Sequence, residues 1–355
     1  MSSESTRAVS PAPGREADDR LAIDTARLEG FMHAHVAGFA GGLRTERFEG
    51  GQSNPTYKLT AANGSYVLRR KPPGKLLPSA HAVDREYRVM TALARAAFPV
   101  PRTYALCMDE HVIGTPFYIM DYVAGRTFWD QSLPGMSSGD RAAIYDEMNR
   151  VIAALHTIDY EGIGLGDYGR PGNYFARQID RWTRQYRSSE TERIRAMDEL
   201  IEWLPRNIPR GEETRIVHGD YRLDNLLFHP TEPRVLAVID WELSTLGHPL
   251  ADFAYNCMSW LIRPDIFRGI GGLDLQGLGI PVEAEYVRAY CRRTGRDDIA
   301  HWDFYIAFNL FRLAAILQGI MARGRDGTAA SADALGIGRA ARPLAELGRS
   351  RLEAG

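Results

Sequence analysis

The stretch VHGDYRLDNLLFHPTEPRVLAVIDWE, residues 217–242, limits the possible folds of this chain more than any other segment. It interrupts a region otherwise patterned for long helices. Two strand-like runs, NLLFH and VLAVID, flank PTEPR, which reads as a turn, so the segment is expected to form an antiparallel hairpin. In such a ribbon the start of the first strand lies beside the end of the second. Asn225 opens the first strand and Asp240 closes the second fifteen positions later, so the two should meet at one end. Asp220 lies five residues before Asn225 in the loop entering that end, and Glu242 is near enough to be a fourth oxygen-bearing group. Clustered carboxylates repel one another unless a cation or a proton sits among them, and hard oxygen ligands of this kind suit Mg²⁺.

The flanking sequence divides into two parts. Between about 44 and 123, short strand-like runs such as PTYKLTA, GSYVLRR and PFYIMDYV alternate with turn signals such as NGS. One helix interrupts them, with Val83, Tyr87, Met90, Leu93, Ala94 and Ala97 recurring at helical spacing. After Gly125 long amphipathic helices are expected at 139–157, 173–187, 190–204, 283–294 and 303–323. The fold expected is therefore α+β, a small antiparallel sheet lobe with one helix followed by a larger, mainly helical lobe. Residues 1–20, rich in Ser, Pro, Ala and charge, read as a disordered arm; 21–123 form the first lobe and 124–355 the second. The apolar run at 304–322 carries Asn309, Arg312 and Gln318, which favours a buried core helix over a membrane span. The glycine-rich stretch at 268–281 follows no strand and reads as a flexible loop.

Net charge excludes some partners. A formal charge of −2 and a pI near 6.5 supply no global basic field for nucleic acid or an anionic membrane. Three scattered cysteines, Cys107, Cys257 and Cys291, suit reduced, buried thiols in a cytoplasmic protein.

The string HGDYRLDN, followed by a hairpin and then IDWE, resembles the HRD…N…DFG arrangement of protein-kinase-like phosphotransferases. In this variant form it is similar to the aminoglycoside phosphotransferase (phosphotransferase enzyme) family, over about residues 44–325. More narrowly, GGQSNPTYKL, YVLRRKPPGKLLPSAHAVDREYRVM and VIDWELSTLGHPLADFAYN resemble the kinase-like domain that precedes the dehydrogenase in some acyl-CoA dehydrogenase family proteins, with no dehydrogenase portion in these 355 residues. The resemblance implies a two-lobed protein-kinase-like fold, ATP and Mg²⁺ as cofactors, and a small-molecule hydroxyl as acceptor. It implies that Asp220 accepts or orients the proton of the acceptor hydroxyl, that Asn225 and Asp240 ligate Mg²⁺, and that Asp252 braces the catalytic loop.

The nucleotide is expected in the first lobe. FEGGQSNPTYKL has small residues that let backbone N–H groups approach phosphates, with Gln52, Ser53, Asn54 and Thr56 as contacts that the resemblance suggests. Strand alternation places Val67, Arg69 and Lys71 on one face. Arg69 stands where protein kinases carry a Lys, and Lys71 competes for the same role. Glu86 borders the apolar stripe of its helix and needs a cationic partner, for which Arg69 is the natural choice. The resemblance makes Met120, Asp121, Tyr122 and Val123 the connector whose backbone holds adenine. Arg263, Arg268, Arg288, Arg292, Arg293, Arg312 and Arg323 favour an acidic or phosphate-bearing acceptor, and the resemblance points to a hydroxyacyl-CoA ahead of an aminoglycoside. A nucleotide-binding module without transfer activity is the alternative of a different class.

Overall fold

Alternation between residues 44 and 121 produces a five-stranded antiparallel sheet, ordered Arg44–Arg47, Thr56–Ala61, Gly64–Arg70, Phe117–Asp121, Thr103–Cys107. The structure is a computed structural model that describes residues 7–8, 22–48, 54–73, 82–329 and 333–353. The arm expected over 1–20 lies outside the described residues, apart from Arg7–Ala8, which pair antiparallel with Arg126–Thr127.

The chain forms two units. The first takes in 1–127, 161–168 and 224–243. One face of its sheet, carrying Tyr57, Leu59, Tyr66, Leu68, Phe117 and Ile119, shares a core with Leu28 and Met32 of a helix at Thr25–His35. Only these two residues of that helix are buried, spaced i and i+4, so its sequence pattern is faint beside that of the helix at Val83–Arg95. The Val83–Arg95 helix packs on the strands at 103–107 and 117–121, burying Val83, Val89, Met90, Ala92, Leu93 and also Glu86. Glu86 therefore lies within the buried stripe, while Ala94 and Ala97 are exposed. The hairpin forms as expected, with Phe228 opposite Val235 and Leu226 opposite Val238. Sequence order placed it after the boundary at 123. By contact it groups with the first unit, where Val238 N–H donates to the Pro99 carbonyl at 2.8 Å.

The second unit, 128–160, 169–223 and 244–355, is mainly helical. Helices at Ser138–Thr157, Tyr174–Ser188, Arg195–Trp203, Glu283–Thr294 and Trp302–Arg325 match the amphipathic segments. Those at Pro249–Cys257 and Ala341–Ser350 were not expected. The Trp302–Arg325 helix is long and apolar enough to cross a membrane, yet most of its apolar window is buried in the protein. Its polar residues have partners in neighbouring segments: Asn309 donates to the Ala251 carbonyl at 2.9 Å and Gln318 to Thr191 Oγ1 at 2.6 Å. The glycine-rich stretch is anchored by backbone, with Ile270 N–H donating to Ser259 at 2.7 Å and Gly271 N–H to Ile262 at 2.9 Å. A Cβ at Gly269 would lie 2.0 Å from the Ile262 carbonyl oxygen, so close backbone approach explains that glycine. All three cysteines are buried and unpaired.

His248 caps the helix at Pro249–Cys257, its Nδ1 accepting the Leu250 N–H at 3.2 Å. The ring can accept only while that nitrogen is unprotonated. Burial, the largest cause, together with Arg296 and His156 pushes its pKa down to about 4, against an upward pull from Glu213. The folded state thus prefers neutral His248, and the stability this supplies is complete above about 6.5 and is lost as pH falls toward 4. His248→Asn keeps a capping oxygen without the titration. Thermal unfolding at pH 7 and pH 4.5 should show the parent losing about 2–3 kcal/mol more than His248→Asn on acidification; equal losses would refute this account.

Candidate active site

In the first unit, strand register sets Arg69 directly opposite Tyr118, on the face that meets the Val83–Arg95 helix. Arg69 Nε lies 2.9 Å from Glu86 Oε2, so the expected strand–helix ion pair is present. Asn54 Nδ2 donates to Glu86 Oε1 at 2.8 Å and the Tyr118 hydroxyl donates to Oε2 at 3.1 Å. A carboxylate that is only 1% exposed thus has a cation and two neutral donors around it. Burial is the largest influence on Glu86 and raises its pKa, with Arg69 pulling the other way. Tyr118, which no sequence pattern singled out, is fully buried and its phenol is pushed well up, first by burial and then by Glu86.

The same guanidinium reaches the end of the hairpin. Arg69 Nη2 lies 2.6 Å from Asp240 Oδ1 and 3.3 Å from Glu242 Oε2. Burial opposes the charge on Arg69, but Glu86 and Asp240, followed by Tyr118 and Glu242, outweigh it and raise its pKa. Asp240 has φ of +65°, a left-handed conformation that is uncommon for a residue with a side chain and concentrates at functional sites. Across the ribbon the Asn225 carbonyl accepts from Ile239 N–H at 3.0 Å, so Asn225 and Asp240 do share one end of the hairpin. Asn225 is buried, whereas the Asp240 side chain keeps 35% of its surface exposed. Among the described residues no group of three or more His, Cys, Asp or Glu forms a metal site by itself. Asp240 carboxylate and Asn225 amide oxygens nevertheless suit a hard cation that takes most of its ligands from water and phosphate, as Mg²⁺ does.

The other expected nucleotide contacts lie as follows. Gln52 and Ser53 fall outside the described residues. Asn54 is buried with its amide on Glu86, and Thr56 Oγ1 donates to the Asn54 carbonyl at 3.1 Å. Met120 and Asp121 end the strand at Phe117–Asp121, with Asp121 accepting from the Tyr104 hydroxyl at 2.5 Å. The Lys58 ammonium sits 4.7 Å from the Tyr122 ring centroid, and Val123 is half-buried.

In the second unit the loop carrying Asp220 hangs from one buried carboxylate. Asp252, on the helix at Pro249–Cys257, accepts the His218 N–H at 2.7 Å and the Gly219 N–H at 2.9 Å, one on each oxygen. His156 Nε2 lies 3.3 Å from Asp252 Oδ2, and its Nδ1 lies 2.8 Å from the Tyr290 hydroxyl. Burial raises the Asp252 pKa most strongly, but His156, His218 and the backbone donors overcome it, and the net shift is downward. His218 itself orients the loop: its Nδ1 accepts the Asp220 N–H at 3.2 Å. Gly219 turns with φ of +83°, and its carbonyl accepts from Arg312 Nη2 at 2.7 Å. Asp220 is left about one-fifth exposed, with Arg222 Nε 2.9 Å from Oδ1 and the Tyr255 hydroxyl 2.5 Å from it. Sequence reasoning missed Tyr255, Arg222 and the part played by His156; Arg312 was visible as a charge inside an apolar helix and as one of the arginines read toward an acidic acceptor, not as a brace for the Gly219 carbonyl.

Residues 44–305 match the family described as the phosphotransferase enzyme family. The chain is similar, at 61% identity and a TM-score of 0.87, to a Ralstonia eutropha protein solved as a candidate aminoglycoside phosphotransferase, covering 94% of this chain and 99% of that one. It is 48% identical over 90% of its length to mouse acyl-CoA dehydrogenase family member 10, and 43% identical over 92% to rat acyl-CoA dehydrogenase family member 11. It spans 30% and 43% of the length of those two relatives. An aminoglycoside phosphotransferase solved with ADP and hygromycin B shares the fold, with a TM-score of 0.58 at 17% identity over 90% of this chain and 98% of that one.

Asp252 offers a direct test of how the loop is held. Asn at 252 has one acceptor oxygen for two backbone N–H groups and turns its own NH₂ toward the other. Asp252→Asn should therefore cost about 2–4 kcal/mol in chemical denaturation, and a loss under about 0.5 kcal/mol would show that the carboxylate is dispensable to the loop.

Proposed function

The chain belongs to the phosphotransferase enzyme family, and from that premise we propose that it is an ATP- and Mg²⁺-dependent small-molecule kinase acting on an alcohol. The observation that carries this reading is the Asp220 loop, which holds a partly exposed carboxylate on a backbone tied at two successive N–H groups to Asp252. Such a carboxylate can accept the proton of an acceptor hydroxyl and align its oxygen for in-line attack. In the transfer, the acceptor oxygen forms a bond to the γ-phosphorus, the bond from that phosphorus to the ADP oxygen breaks, and the hydroxyl proton leaves toward Asp220. Asn225 and Asp240 would hold Mg²⁺, which would supply positive charge to offset that of the phosphates during transfer. In this reading Arg69, held by Glu86, is a cation for the phosphates, with Lys71 as its competitor. The fold shared with an ADP-bound phosphotransferase supports nucleotide as the donor.

The acceptor in this reading is a hydroxyacyl-CoA rather than an aminoglycoside. Kinship with acyl-CoA dehydrogenase family members supports the acyl-CoA part. A polycationic antibiotic calls for a wall of acids, whereas 255–325 is rich in arginine. Some of that arginine is structural, since Arg293 donates to Asn149 and Asp146 and Arg312 to Gly219. Arg268, by contrast, lies over the half-exposed Trp129 ring at 4.6 Å from its centroid, a surface suited to a flat or anionic group. The reading places the reaction in the cytoplasm, with no nucleic acid or membrane partner.

Incubation with Mg-ATP and a mixed panel of hydroxyacyl-CoAs and aminoglycosides, read by mass spectrometry, should yield one acceptor class heavier by a phosphoryl group. Asp220→Asn should lower turnover by about a hundredfold or more while nucleotide affinity stays within about twofold. Undiminished turnover in that variant would remove Asp220 from the chemistry.

A further inference from the structure

The helix at Pro249–Cys257 grips the Asp220 loop twice, and the second grip has a chemistry of its own. Asp252 holds backbone. Tyr255, one turn further along the same helix face, directs its hydroxyl to Asp220 Oδ1 at 2.5 Å and so holds the side chain. We propose that Tyr255 is a positioning residue for phosphoryl transfer, fixing the plane of the Asp220 carboxylate through its hydroxyl; the proposal rests on the kinase reading given above.

Three observations support this. First, the tyrosine is itself fixed: it is 8% exposed, and the Arg312 guanidinium lies over its ring at 5.2 Å from the centroid. Arg312 is tied in turn to the Gly219 carbonyl at 2.7 Å, so one cation braces both the loop and the tyrosine that grips it. Second, Asp220 receives donors from two directions. Arg222 approaches from within the loop, with Nε 2.9 Å from Oδ1 and Nη2 3.1 Å from Oδ2, and Tyr255 approaches from the helix. A residue two positions away in the same loop moves with that loop and cannot set the carboxylate against the body of the unit, whereas Tyr255 can. Third, the phenol remains a donor over the working range, since burial first and Asp220 second push its pKa up. A misplacement of about 1 Å at a nucleophile-aligning group costs on the order of a hundredfold in rate, so a hydroxyl that only orients a carboxylate can matter to turnover while touching no substrate.

Tyr255→Phe removes the hydroxyl and keeps the ring under Arg312. With Mg-ATP and the hydroxyacyl-CoA mixture of the preceding assay, kcat should fall about ten- to a hundredfold, with KM for ATP unchanged within about twofold. In an Asp220→Ala background the same substitution should change nothing, because the group it orients is gone. A purely structural tyrosine would instead lower activity by the same factor in both backgrounds, and that result would overturn the proposal. An active parent with unchanged kcat in Tyr255→Phe removes this role alone; a parent that transfers no phosphoryl group removes the kinase reading and this role with it. A second readout needs no turnover. With tyrosine labelled by ¹³C at Cζ, the resonance lost in Tyr255→Phe should move on Asp220→Asn, and a resonance that does not move overturns the contact on which the role depends.

Discussion

A single buried carboxylate, Asp252, determines where the Asp220 loop can be. Its desolvation would be prohibitive if it were alone, and two successive backbone N–H groups together with His156 are what make its charge tenable. The dependence runs in both directions. The N–H groups of His218 and Gly219 are themselves buried donors that need acceptors, and Gly219 takes a left-handed turn that aims both at the same group. Side chains then add to this frame: His218 to the Asp220 N–H, Arg312 to the Gly219 carbonyl, Tyr255 to the Asp220 carboxylate. The loop has no regular secondary structure to hold it, and buried polar bonds take that place.

The first unit uses the same principle with opposite sign. There a mostly buried cation, Arg69, its side chain 12% exposed, is shared among Glu86 from a helix and Asp240 and Glu242 from the hairpin end. Three acids face one guanidinium there, an imbalance that the divalent cation proposed above would offset. The left-handed backbone at Asp240 fits this description, since strain of about 1–3 kcal/mol persists only where surrounding contacts over-determine it.

Much of this was legible in the sequence where a residue broke its own pattern. Glu86 bordering an apolar stripe called for a cation, and alternation along YVLRRK placed Arg69 to supply it. Two strand-like runs around a turn were enough to bring Asn225 beside the residues near Asp240. Tyr255 could not be found this way, because an aromatic residue in a buried helix has the same signature whether it fills a core or aims a hydroxyl. The helix at Thr25–His35 was hidden for a simpler reason: two buried residues in eleven leave almost no periodicity to detect. Contact between distant segments was the least legible level, and the hairpin's membership of the first unit belongs there. Arg312 and Asn309 were read correctly as marks of a buried helix, but a charge inside an apolar helix also names what that helix braces, here the Gly219 carbonyl.

The discontinuity of the first unit has a consequence for synthesis. Arg69 and Asp240 are 171 positions apart, so at roughly 5–20 residues per second the ribosome delivers the second about 10–30 s after the first. During that interval the sheet and the Val83–Arg95 helix can assemble around Arg69 and Glu86, but the strands at Leu226–Phe228 and Val235–Val238 do not yet exist. The nascent first unit must therefore wait, incomplete, while much of the chain of the second unit emerges. Leu28, Met32, Leu59 and Leu68, which share its core, are all made before the hairpin, so that part of the unit can bury its apolar surface early.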